Sequence, residues 1–164
     1  MSTATRARAL HPANGVLAAR LACVQALHAM DVAAMTLAAA HAEFNAGRLG
    51  ALDETPGPPP IEPDTDHFRS VLEAILRDQD QIDALAAAVL AANWRIERLD
   101  ALARAILRAG IGELLSQHHA PAAQVISDYL EIAKAFYNDP EPGFINAALD
   151  RAAHQLRASD PSLR

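Results

Sequence analysis

Cysteine occurs once in the 164 residues, as Cys23, and a single thiol forms no internal disulfide. No CxxC or Cys/His spacing for zinc is present either. Aromatic residues make up 4% of the chain and β-branched residues are few, which withholds the usual material of strands. The P-loop, the nucleophile elbow and the GxGxxG fingerprint are all missing, so nothing calls for catalytic residues, a metal or a cofactor. No stretch approaches the roughly 20 apolar residues of a transmembrane span. Arg6 and Arg8 ahead of "VLAARLAC" imitate a lipoprotein signal. However, Asn14 and Arg20 leave only Val16 to Ala19 apolar, short of the roughly seven residues such a signal needs. A reducing, cytoplasmic setting is expected.

What is present is Ala and Leu, in a chain that is 51% hydrophobic, and that balance favours helix. The length suits one domain that buries about two-thirds of its extended surface. With 20 acids against 14 bases the net charge is −6, which argues against indiscriminate binding to nucleic acid or anionic lipid. A local basic patch stays open, because no acid precedes Asp31 while Arg6, Arg8 and Arg20 do.

Periodicity predicts seven helices and no strand, an all-α fold. The first runs from an Asn14 cap to Met30 with Leu17, Leu21, Val24 and Leu27 inward, and the second from an Asp31 cap to about Ala46. "ALDETPGPPPIEPD", residues 51–64, is a Pro-rich acidic connector. Asp64 or Thr65 caps the third helix, "DQIDALAAAVLAAN" forms the fourth, and Asp100 caps the fifth. "PAAQVISDYLEIAKAF" is the sixth, and "FINAALDRAAHQLR" the last. The expected organisation is an arm over 1–13, one domain over 14–158 and a tail over 159–164.

Candidate chemistry is sparse. His118 and His119 are adjacent, so on a helix they point about 100° apart and do not chelate as an i,i+4 pair does. Asp64, Asp66 and His67 read as a helix start, and Asp78, Asp80 and Asp83 as solvated capping. His28 reads as a partly buried core residue and Cys23 as inert. Asp100 with Arg104, and Arg108 with Glu113, read as structural bridges.

Five blocks in register carry a resemblance: "ARLACVQALHAMD", "DHFRSVL", "QIDALAAAVLAANWRIERLDALARAILRAGIGEL", "APAAQVISDYLEIAKAF" and "EPGFINAALDRAA". Together they resemble the NusB transcription antitermination factor family, in its alphaproteobacterial form, from about Ala19 to Arg157. The resemblance implies a compact seven-helix fold of two small bundles sharing a core, and a non-catalytic role. It also implies pairing with a small-subunit ribosomal protein, NusE. That pair binds single-stranded boxA-type RNA within an RNA polymerase antitermination complex and promotes read-through in rRNA operons. The alternative is a diverged helical interaction module that keeps the fold without specific RNA binding; self-association as a homodimer is left open.

Family members place an arginine cluster at the start of the first helix, where this chain has "NGVLAAR", and His28 stands where a tyrosine is usual. The candidate RNA-binding residues implied are therefore Arg6, Arg8 and Arg20, with Gln25 beside the apolar stripe and Phe144 and Asn146 opening the last helix. An aromatic at Phe144 either stacks on a splayed base or packs into the core, and Asn146 either reads a base edge or bonds within the protein.

Overall fold

The computed structural model describes residues 10–52, 57–91, 93–116 and 119–164. Among them lie seven α-helices and no strand: α1 (Gly15–Ala33), α2 (Leu37–Asn45), α3 (Thr65–Arg77), α4 (Gln79–Val89), α5 (Ala101–Ser116), α6 (Ala122–Phe136) and α7 (Glu141–Leu156). Two short 3₁₀ turns, Ile96–Arg98 and Pro161–Leu163, complete the path.

Several starts follow the local chemistry read from the sequence. The Asn14 side chain accepts from Leu17 N at 2.9 Å, Asp64 from His67 N at 2.8 Å, and Asp100 from Ala103 N at 3.0 Å. The junction of the first two helices differs from expectation. Helix α1 continues past Asp31 to Ala33 and stops where Ala34 enters the left-handed region at φ 53°. Thr36, not Asp31, caps α2, accepting from Ala39 N at 3.1 Å. The Asp31 carboxylate is instead held by Arg104, at 3.0 and 2.6 Å, which lowers its pKa. The last helix also begins early, at Glu141, because Pro142 fits a first turn whose N–H groups need no partner.

Helix α5 is the hub, packed by α1, α3, α4, α6 and α7. From Ala105 to Leu114 every residue but Arg108 is buried, the pattern of a helix enclosed on all sides. Helices α1 and α3 pack on each other and on α5, while α7 packs on α4, α5 and α6, so two bundles share the central helix. Close approach needs small residues: a Cβ on Gly112 would lie 2.5 Å from Ile75 Cγ1, and one on Gly110 would lie 2.6 Å from Leu149 Cδ2.

Both ends of the connector are tied to α1. Gln25 donates to Ala51 O at 2.9 Å and accepts from Gly50 N at 2.7 Å, and Asp64 N donates to Gly15 O at 2.9 Å. Gly50 is required there, at φ 96° with Pro63 against its α-carbon. Residues 159–164 are no loose tail: Asp160 accepts from Ala122 N at 2.9 Å and Ser162 Oγ from Ala123 N at 3.0 Å, capping α6 from outside. Upstream of Asn14, Leu10 is already in the core. Helix α1 is long and apolar enough to cross a membrane by length and composition alone. Ten of its residues are nevertheless buried in this fold, Arg20 among them.

Gly112→Ala tests the close packing at the hub. Overpacking costs about 1–3 kcal/mol and the gain in helix propensity returns about 1. We expect a net loss near 1 kcal/mol, read as a lower urea midpoint at unchanged slope.

Candidate nucleic-acid interface

The structure withdraws Arg20 from the role of phosphate contact. Its guanidinium, 2% exposed, lies between α1, α5 and α6. Nε donates to Glu113 Oε1 and Oε2 at 3.0 and 2.9 Å, Nη2 donates to Glu113 Oε2, and Nη1 donates to Asp128 Oδ2 at 2.5 Å. Tyr129 OH donates to Glu113 Oε1 at 3.0 Å, and Gln124 donates to Asp128 Oδ1 at 2.7 Å. His67 on α3 completes the shell with Nε2 3.1 Å from Glu113 Oε1; facing an acceptor-only carboxylate, that nitrogen carries the proton. Each guanidinium nitrogen of Arg20 donates to a carboxylate inside the protein.

The electrostatics follow from the enclosure. Burial works against the Arg20 charge, but the hydrogen bonds and charge of Glu113 outweigh it and raise the guanidinium above its ordinary value. Burial likewise pushes the Glu113 carboxyl up, yet hydrogen bonds from His67 and Arg20 dominate and hold it at about 2. Burial pushes the Tyr129 hydroxyl and the Cys23 thiol well up, so both stay protonated and the thiol is a packing group.

The remaining candidates separate. Arg6 and Arg8 lie outside the described residues, as does His118. Gln25 is committed to the Gly50–Ala51 turn, so its role is packing of the first helix against the connector. Phe144 is half-buried and its ring stacks on Trp94, with centroids 4.2 Å apart and planes at 23°. Asn146 is exposed, but two residues further along a helix is a rotation of about 200°, so it does not share the Phe144 face.

The second basic series also re-sorts. Arg104 pairs with Asp31 rather than Asp100, whose carboxylate caps α5 and accepts from Tyr137 OH. Arg108 pairs with Asp83 at 2.8 Å rather than with Glu113, so Asp83 is a bridge and not a solvated cap. Arg95 and Arg98 are exposed and make no ion pair among the described residues. No group of three potential metal ligands occurs among those residues.

Asp128 and Trp94 are residues that reading the sequence missed, and Glu113 was read there as a bridge to Arg108 rather than to Arg20. A signal existed for the acids: "LAARLAC", "GIGELL" and "VISDYL" each hold one charge inside an apolar helical run. Three such charges of opposite sign must meet or face water.

Arg20→Met leaves two buried carboxylates without their cation, and we expect a loss of about 3–5 kcal/mol, measured by denaturant unfolding. A depressed folded-state value stabilises the protein only while the carboxyl is ionised. The Glu113 contribution, about 3 kcal/mol, is therefore complete above about pH 4.5 and is lost as pH falls toward 2. Urea midpoints across that window should fall steeply for the natural chain and less steeply for Glu113→Gln.

The arrangement is that of a known family. A family model described as the NusB family matches residues 17–154. A protein of Rhizobium etli named transcription antitermination protein NusB is 44% identical over 158 residues, covering 96% of this chain and 98% of its own. One of the same name from Agrobacterium fabrum is 44% identical over 152 residues, with 93% and 91% covered. A solved structure of T. maritima NusB superposes with a TM-score of 0.66 at 25% identity, over 85% of this chain and 90% of that one. Residues 17–154 span the helical core from the first buried turn of α1 to the last turn of α7, and on this ground the chain belongs to the NusB family.

Proposed function

We propose that this chain is a cytoplasmic, non-catalytic transcription antitermination factor. In this reading it binds boxA-type single-stranded RNA together with a small-subunit ribosomal protein, NusE, within an RNA polymerase antitermination complex on rRNA operons. The observation that carries the reading is the correspondence of the whole helical core to relatives named transcription antitermination proteins.

The electrostatics set how strongly the chain binds alone. With Arg20 enclosed, the basic residues ahead of the first acid that are left for phosphate are Arg6 and Arg8. At about −0.7 per phosphate neutralised on a single strand, these two give a salt slope near −1.4. A net charge of −6 adds no long-range attraction. Affinity must therefore come from stacking and from the ribosomal protein, which supplies its own contacts and holds the RNA on a composite surface.

Titrating a labelled boxA-type RNA at several salt concentrations, with and without the ribosomal protein, tests this. We expect weak binding by the chain alone, a slope no steeper than about −3, and at least a tenfold gain on adding the partner. A slope of −4 or beyond, or no partner effect, overturns the reading. Partner binding with no RNA signal would instead favour an interaction module that has lost RNA recognition.

A further inference from the structure

We propose that Trp94, stacked on Phe144, forms a base-stacking subsite for single-stranded RNA, with Arg95 and Arg98 as its phosphate contacts. The proposal rests on the RNA-binding reading above and assigns that function to a surface away from the start of α1.

Residues 94–99, ahead of α5, are anchored to the core. Ile96 and Leu99 are buried and anchor the 3₁₀ turn, while Trp94 N donates to Ala91 O at 2.8 Å. Trp94 and Phe144 both pack against the core and are partly buried. Arg151, one more pair of turns along α7 on the Phe144 side, donates to Val89 O at 2.5 Å and ties α7 to the end of α4. The aromatic pair is thus held from two helices and needs no ordering when a base arrives.

The charges beside it make no ion pair among the described residues. Arg98 ends the 3₁₀ turn and Arg95 is its extended N-cap, with Arg98 N donating to Arg95 O at 2.9 Å. Most other arginines are committed: Arg48, Arg77, Arg104 and Arg108 to carboxylates, and Arg157 to the carbonyls of Glu113, Leu114 and Ala120. Glu97 lies between the pair and leaves the turn with a net charge of +1. So weak a charge does not hold a duplex by its phosphates alone. A partly accessible aromatic pair beside it favours bases already unstacked, which is the chemistry of single-strand recognition.

Trp94 is the sole tryptophan, so the chain's tryptophan emission, excited beyond tyrosine absorption, reports on this site. The full chain is titrated with a short labelled single-stranded RNA while label anisotropy and tryptophan emission are followed together. We expect saturable quenching with the same midpoint as the anisotropy, and neither signal with a duplex of the same sequence. Trp94→Ala should weaken binding by about 5- to 150-fold and Trp94→Phe far less. Arg95→Gln with Arg98→Gln should make the salt slope shallower by about 1.4. RNA binding with no change in emission and no effect of the arginine substitutions overturns this subsite while leaving the RNA-binding reading intact. No anisotropy change, with or without the ribosomal protein, overturns both. Quenching by the ribosomal protein but not by RNA overturns it as well and makes this a protein contact. Should Trp94→Ala fail to fold, the quenching of the natural chain and the arginine pair still decide.

Discussion

A guanidinium enclosed among helices is costly to bury and more costly to leave alone, and Arg20 is enclosed with two carboxylates, Glu113 and Asp128. The cluster draws one group from α1, one from α5 and three from α6, and His67 reaches in from α3. Apolar side chains on these helices could slide past one another at small cost, because dispersion contacts have no direction. Charge-assisted hydrogen bonds at 2.5–3.1 Å do have direction, and they admit one register of four helices. The pairing therefore contributes specificity of arrangement at least as much as net stability. Its dependence on an ionised Glu113 makes that arrangement sensitive to acid.

The glycines of α5 serve the same register. Gly112 lets Ile75 of α3 approach the hub one residue before Glu113, and Gly110 admits Leu149 of α7 on another side. A bulkier hub would push α3 away and carry His67 out of reach of the carboxylate. Packing and polar bonding are thus coupled through neighbouring residues: small side chains set the distance, and the buried charges use it.

Much of this was legible in the sequence, and the remainder failed for identifiable reasons. Helix number, class and most starts followed from periodicity and from cap chemistry at Asn14, Asp64 and Asp100, because those signals are local. The α1–α2 junction misled because Asp31 and Thr36 are both good caps, and a partner 73 residues away, Arg104, claims the first. Arg20 misled for a related reason. An arginine at the start of a first helix looks the same whether it meets a phosphate or a carboxylate, and the carboxylates here stand 93 and 108 residues along the chain. Phe144 was legible as an aromatic of two readings, and the ring that faces it, Trp94, is invisible from its own neighbourhood.

Under the proposed function, taking Arg20 out of solvent also changes where RNA-binding free energy can reside. A surface with few free cations gains little from counterion release, so it relies on contacts that lose less to salt, namely stacking on rigid aromatic rings and surface supplied by a partner. A chain so built discriminates by whether bases are unstacked and whether the partner is present, rather than by charge density. Under the proposed function it would ignore most cellular RNA and respond when a single strand and the ribosomal protein arrive together, which is the selectivity that an assembly factor on nascent RNA requires.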